Sequence, residues 1–224
     1  MDDKKMYEKE IFVEYYGSAK KRDELAWHHK DPVGLLPKIV EQTEKPGKAL
    51  DMGCGTGVDS VFLASKGWEV TCLDFMAEAI QMTKERAEEN NVSLNAVQAD
   101  IIDWHCDEKF DLLVDAGLMH NMRRERILTY RDKISHLLKP GGHFMLAHWE
   151  SMNDDDRLNA GPRRSTRSQI EKLFSGTFDS LTEFDRKQVQ TCKLCNGHVC
   201  ERNKEPACSE VGPQLSVAFY WYTK

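Results

Sequence analysis

The segment "LDMGCGTG" sets an acid, Asp51, just ahead of three glycines at alternate positions, Gly53, Gly55 and Gly57. A backbone bare of side chains can turn tightly and approach a ligand closely. In a dinucleotide cradle the third glycine stands one residue later, where it lets the following helix pack and aim its N-terminus at a pyrophosphate. Here the spacing is G-x-G-x-G, and Asp51 would repel pyrophosphate while suiting a ligand that carries an amine. Two histidines could move protons near neutral pH: His120 in "DAGLMHNM", and His148 in "AHWE" beside Trp149. A structural or exposed role is equally open to either. The stretch "CKLCNGHVCERNKEPAC" gathers Cys192, Cys195, Cys200 and Cys208 around His198. One C-x-x-C with two further cysteines can supply the four closed ligands of structural zinc. Unligated thiols, disulfides and direct contact with a soft substrate are other readings of the same residues.

These residues need elements to hold them. From residue 47 onward, apolar runs of strand length alternate with segments of helical period, the pattern of βαβ units around a parallel sheet. "KALDMG", "WEVTCLD", "LNAVQAD", "FDLLVDAG" and "GHFMLAHW" read as five strands, with "DSVFLASKG" and "MAEAIQMTKERAEENN" as crossover helices. In the second helix Met76, Ile80, Thr83 and Ala87 share a face. Ile127, Tyr130, Ile134 and Leu137 repeat at helical spacing, and "KPGG" reads as the stop before the fifth strand. Beyond residue 150 come a polar loop, a short helix "SQIEKLFSG", and strands "FDSLTEF" and "LSVAFYWY". The expectation is one α/β domain over residues 1–224. It would comprise an N-terminal helical cap (1–46), a ligand-binding core (47–150) and a substrate-side part (151–224) whose cysteine-rich loop spans 187–213.

Composition narrows the function classes. With 224 residues, 40% hydrophobic and 30% charged, the chain can bury a sizeable core. A net charge of -6 gives no electrostatic footprint for a nucleic-acid backbone. No apolar run is long enough to span a bilayer, and "MDDKKMYEKEIF" holds no signal-like core, so a cytoplasmic location is expected. Seven cysteines, an odd number, argue against a secreted disulfide framework.

The glycine motif and its surroundings closely resemble the class I S-adenosylmethionine-dependent methyltransferases, over roughly residues 47 to 150. The resemblance implies a Rossmann-like doubly wound sheet of seven strands, mostly parallel with an antiparallel last strand, and helices on both faces. It implies S-adenosylmethionine as methyl donor, bound by Asp51, Gly53, Gly55 and Gly57. Asp74, followed by Phe75, stands where the family holds both ribose hydroxyls. Asp100 and Ile101 fall where it meets the adenine, and Asp115 matches a position near the methionine end. A turn or capping aspartate would use any of these acidic positions equally well. The D-x-G-x-x-H form ending at His120 is similar to a small-molecule subset related to thiopurine and tellurite-resistance methyltransferases. In that subset a helix covers donor and acceptor, which puts Tyr15, Tyr16 and Trp27 on the substrate side with Trp149. An amphipathic helix packed on the sheet would carry the same aromatics.

The functional expectation is therefore methyl transfer to a small molecule, with a thiol or other soft nucleophile preferred, and catalysis by His120 or His148. Within the class, methylation of arsenic, selenium or tellurium would give the clustered cysteines a soft atom to hold. A non-catalytic module binding S-adenosylmethionine or S-adenosylhomocysteine uses the same motif. A nicotinamide oxidoreductase is disfavoured by the glycine spacing. Arg163, Arg164 and Arg167, if they face the acceptor, would favour an anion.

Overall fold

The structure is a computed structural model, and it describes residues 9–19, 21–151, 163–192 and 211–224. Seven strands form one sheet: β1 (Lys48–Met52), β2 (Glu69–Asp74), β3 (Asn95–Gln98), β4 (Phe110–Asp115), β5 (Leu138–Glu150), β6 (Ser180–Cys192) and β7 (Val211–Thr223). Their order is β3-β2-β1-β4-β5-β7-β6. The first five run parallel, and β7 enters antiparallel between β5 and β6. Six α-helices are present among the described residues: α1 (Lys9–Ser18), α2 (Leu36–Gln42), α3 (Val58–Ser65), α4 (Ala77–Glu89), α5 (Ile127–Leu137) and α6 (Arg167–Phe174).

Parallel strands covered on both faces read as unbroken apolar runs, because each alternate side chain finds its own core. Leu50, Met52, Leu113, Phe144 and Leu146 point to one face, where Tyr130 and Ile134 of α5 and Ile170 and Phe174 of α6 meet them. Their neighbours Ala49, Leu112, Val114 and Met145 point to the other, against Leu36 and Ile39 of α2 and Leu63 of α3. In α4 the buried side chains are Ala79, Ile80, Thr83 and Ala87, and Met76 is buried at the N-cap.

Two boundaries differ from expectation. "KPGG" does not separate α5 from its strand; β5 begins at Leu138, paired with Phe110, and a register shift between Phe110 and Leu112 absorbs the proline and glycines. Gly141, at φ 76°, supplies the left-handed residue that such an irregularity uses. The proposed loop over 187–213 is also too wide, since β6 continues to Cys192 and β7 starts at Val211. β7 pairs with β5 only from Ser216, opposite Glu150, so both strands run beyond the end of β5 as a two-stranded ribbon. Of the four proposed zinc ligands, Cys192 closes β6, while Cys195, Cys200 and Cys208 lie outside the described residues.

Strand order reverses between β1 and β4, which makes the carboxyl ends of those two strands the switch point where open α/β sheets bind ligands. The glycine turn follows β1 and the His120 loop follows β4.

Candidate functional site

The glycine turn is pinned to the sheet by the N–H groups of Gly53 and Cys54, which donate to the Leu73 carbonyl at 2.7 and 3.1 Å. Gly53, Gly55 and Gly57 all have positive φ, at 73°, 54° and 76°. At Gly57 the need for glycine is steric as well: a Cβ there would lie 2.9 Å from the Thr83 Cα on α4. Asp74 closes β2 beneath the turn and accepts from Gly55 N–H (3.1 Å) and Met76 N–H (2.9 Å). Burial raises its pKa to about 6, against the opposing pull of backbone N–H groups at Met76, Gly55 and Phe75.

Asp51 is buried under the same turn. Its Oδ2 accepts from the Ser60 hydroxyl at 2.6 Å, while its Oδ1 meets no hydrogen-bond partner among the described residues. Asp59, equally buried, accepts from Val33 N–H at 2.8 Å and stands 3.6 Å from His29 Nε2. Desolvation raises both carboxyl pKa values, and the proximity of Asp59 pushes Asp51 further in that direction.

An aromatic roof covers the turn. Tyr16 and Trp27 pack at 5.3 Å, Tyr15 meets Trp27 edge-on at 5.5 Å, and Phe12 meets Phe75 edge-on at 5.5 Å. A Cβ on Gly55 would be 3.5 Å from Trp27 Nε1 and 3.9 Å from the Tyr16 hydroxyl, so the roof sits directly on the glycine. The next two cap residues continue the contact, His28 to Thr56 Oγ1 (3.0 Å) and His29 to Asp59. Burial and nearby Asp74 raise the Tyr16 pKa far above the phenol range, so its hydroxyl stays protonated. Tyr15, Tyr16, Trp27 and Phe75 thus form one cluster with the glycine motif.

Asp115 overturns its expected role. It is fully buried and accepts from the N–H groups of Gly117 (2.9 Å), Leu118 (2.7 Å) and Met119 (3.0 Å), and from the Tyr130 hydroxyl. A carboxylate with that many protein donors is the internal brace of the loop that follows it, not a ligand group. The braced loop sets Leu118 against Gly53, 3.2 Å from where a Cβ would be, and carries the half-buried His120 two residues further. Gly117, at φ 134°, lets the imidazole fold back over it: a Cβ would meet His120 Cε1 at 3.1 Å and Nε2 at 3.2 Å. Arg163 fastens the loop from the far side, donating to the Met119 carbonyl at 3.2 Å and to that of Met122. That contact makes Arg163 a brace.

His148 departs from expectation too. Only 1% of it is exposed, so it cannot reach an acceptor, and burial pushes its pKa well below the ordinary imidazole value. Its ring lies 5.7 Å from that of His120, and half-buried Trp149 lies 6.4 Å from His120. Ile101 is 2% exposed in the main core and offers no surface to an adenine; half-buried Ile102 is its outward neighbour. Asp100 follows β3 with its carboxylate engaged by Arg126 (2.9 Å) and Ile102 N–H (2.9 Å). No group of three or more His, Cys, Asp or Glu side chains could hold a metal among the described residues. A cleft of about 320 Å³ between Pro46, Trp68, Pro140 and His143 opens at the amino ends of the strands, remote from this site.

Sequence reasoning missed Asp59, Tyr130 and Ser165. Tyr130 was legible only as a helical core residue, and nothing in the spacing shows that its hydroxyl reaches across to Asp115.

Comparison with known proteins matches this arrangement. Residues 49–142 fit the family described as "Methyltransferase domain". The 2-heptyl-1-hydroxyquinolin-4(1H)-one methyltransferase of Mycobacteroides abscessus is 31% identical over 153 residues, 66% of this chain and 66% of that protein. Probable thiol methyltransferase 2 of Arabidopsis thaliana is 28% identical over 151 residues, with the same coverage of each chain. The aligned stretch therefore falls just short of two thirds of either relative. Burkholderia thailandensis 1,6-didemethyltoxoflavin-N1-methyltransferase, solved with 1,6-didemethyltoxoflavin and S-adenosylhomocysteine, superposes with a TM-score of 0.68. It is 20% identical, and the match covers 96% of this chain and 86% of that one. The fold is the Rossmann-like sheet that this solved methyltransferase shares. Over residues 49–142 the chain is similar to the methyltransferase-domain family.

Proposed function

We propose that the protein transfers a methyl group from S-adenosylmethionine to a small molecule, and that the acceptor atom is a thiol or another soft nucleophile. The observation that carries this reading is the meeting of two braced loops at the switch point. The glycine turn closed by Asp74 touches, through Leu118 on Gly53, the loop that Asp115 holds and His120 ends.

The residues fit the donor. Of the about four acceptor sites of the Asp74 carboxylate, Gly55, Met76 and Phe75 N–H groups take three and leave one for a ribose hydroxyl, and the bare Oδ1 of Asp51 is an acceptor suited to an ammonium or the water that serves it. A donor bound there supplies a methyl group already activated on a positively charged sulfur. What remains for the protein is to align the nucleophile, exclude water and manage one proton. Phe12, Tyr15, Tyr16 and Trp27 roof the site against solvent. His120 takes the acceptor's proton, with Trp149 as the wall beside it. A thiol loses its proton near pH 8.5, and an imidazole beside it can serve as the base that takes it.

The relatives support a small acceptor, one named for a hydroxyquinolinone and one for thiols. A metalloid acceptor is the second reading. It is favoured by the ribbon of β6 and β7, which passes the end of β5 and brings Cys192 to the carboxyl edge of the sheet.

The test is incubation with radiolabelled S-adenosylmethionine and a panel of thiols, phenols, amines and metalloid oxyanions. Label should move to thiols first. Transfer only to arsenic, selenium or tellurium would select the second reading, and no transfer to any class would leave a donor-binding module. Stabilisation by NAD alone would exclude all three.

A further inference from the structure

His148 has a property that burial alone does not explain. Its Nε2 lies 3.1 Å from the Ser165 hydroxyl, but its Nδ1 is buried and meets no hydrogen-bond partner among the described residues. An apolar side chain would fill that place on β5, opposite Ala218 of β7, without leaving a desolvated nitrogen bare. Nδ1 of His120 is also a buried atom, and the two ring centroids are 5.7 Å apart with the planes at 56°. The two imidazoles are therefore close neighbours, each with a buried ring nitrogen. Hydrogen bonds at reacting sites are often long before substrates bind and tighten in the loaded complex.

We propose that His148 is the positioning partner of His120, an imidazole that stays neutral and offers its bare Nδ1 to the N–H of His120 when His120 takes a proton. The inference rests on the reading of His120 as the base. Proton and electrons balance simply. The acceptor's S–H or O–H bond breaks, its electron pair stays on the acceptor as nucleophile, and the proton becomes the second N–H of His120. The opposite N–H then donates to His148 without leaving its own ring, and the added proton departs to water after product release.

The surroundings keep His148 in the accepting form. The charged or titratable groups around it are His120 on the β4 loop and Arg163 beyond β5, and both oppose its protonation in addition to the burial. Asp115, beneath the loop, is occupied by three N–H groups and Tyr130, and Glu150, two residues along β5, is paired with Arg186 at 2.6 Å. Ser165 holds the ring's other nitrogen from the segment that precedes α6, and its own N–H is tied to the Trp149 carbonyl at 3.2 Å.

The test uses the full chain labelled with ¹⁵N-histidine, titrated by long-range proton–nitrogen correlation, together with pH–rate profiles. In His148→Phe the His120 pKa should fall by about half a unit or more, because its cation loses an acceptor. The acidic limb of kcat should move the same way and kcat should drop about tenfold, with both KM values held. His148→Asn, which restores a polar atom near Nδ1, should recover part of the loss. If His148→Phe does not fold, Ser165→Ala serves: it frees the ring and should lower the His120 pKa in the same direction. A His120 titration and kcat profile unchanged in the folded variants would overturn the proposal. A shifted His120 pKa in a protein that transfers no methyl group would uphold the pairing and sink the methyltransferase reading. Turnover indifferent to His148 would do the reverse.

Discussion

At the scale of single residues, the site divides into groups that can touch a ligand and groups that hold others in place, and hydrogen-bond saturation is what separates them. Asp115 and Asp74 both end strands beside the glycine turn, but Asp115 is saturated by three N–H groups and the Tyr130 hydroxyl, whereas Asp74 takes backbone bonds alone, from Gly55, Met76 and Phe75, with no side-chain donor. His120→Ala should accordingly reduce kcat by roughly a hundredfold while leaving donor affinity within twofold, since loss of a general base removes about that factor. Calorimetric titration beside steady-state kinetics reads both quantities, and an unchanged kcat removes His120 from the mechanism. Tyr130→Phe deletes one donor to the buried Asp115 carboxylate. A hydrogen bond to a charged group is worth about 1.5 to 3 kcal/mol, so urea unfolding should report a loss in that range. kcat should fall as the loop loosens.

At the scale of elements, the glycines show how conformation and space act together. Gly57 and Gly141 share φ 76°, but a Cβ on Gly57 would press on the Thr83 backbone while one on Gly141 would meet nothing within 4 Å. Gly141→Ala should cost only the left-handed strain, about 1 to 2 kcal/mol. Gly57→Ala should cost clearly more and abolish donor binding, because α3 and α4 must part to admit it. Equal melting temperatures for the two variants would mean that the close contact with Thr83 carries no weight. The same contrast explains what was legible in the sequence. Strands and helices followed from periodicities of 2 and 3.6, since alternation along β1, β4 and β5 decides which core each side chain joins. The reach of β6 and β7 past β5 was not legible: polar residues such as Gln188 and Gln190 pair along a ribbon by backbone bonds that need no apolar face. Orientation at strand ends was equally hidden. Ile101 and Ile102 are identical in type, and only packing decides that the first turns into the core.

At the scale of the whole molecule, the site places Asp51, Asp59 and Asp74 in the interior and thereby couples stability to pH and to the donor. Burial raises all three carboxyl pKa values, that of Asp74 to about 6, against roughly 3.9 in the unfolded chain. Between those values the folded state binds more protons than the unfolded one, so stability falls as pH rises through this window, and the loss is complete above the folded pKa. His148 acts on the other side: its folded pKa lies below the unfolded value near 6.5, so its contribution is lost as pH falls beneath 6.5. The donor-free protein should melt highest at mildly acidic pH and lower toward pH 8. A ribose hydroxyl donating to Asp74 favours its charged form, so donor affinity should rise with pH through about 6, and the donor's thermal shift should be larger at pH 8 than at pH 5.5. Scanning fluorimetry across that range, with and without S-adenosylmethionine, measures both trends. In Asp74→Asn the carboxyl facing the ribose no longer titrates, and the pH dependence of the donor's shift should weaken to what Asp51 contributes. A shift of the same size at both pH values in the wild-type protein would mean that Asp74 does not hold the ribose, and would return it to the role of a turn residue bonded to Gly55 and Met76.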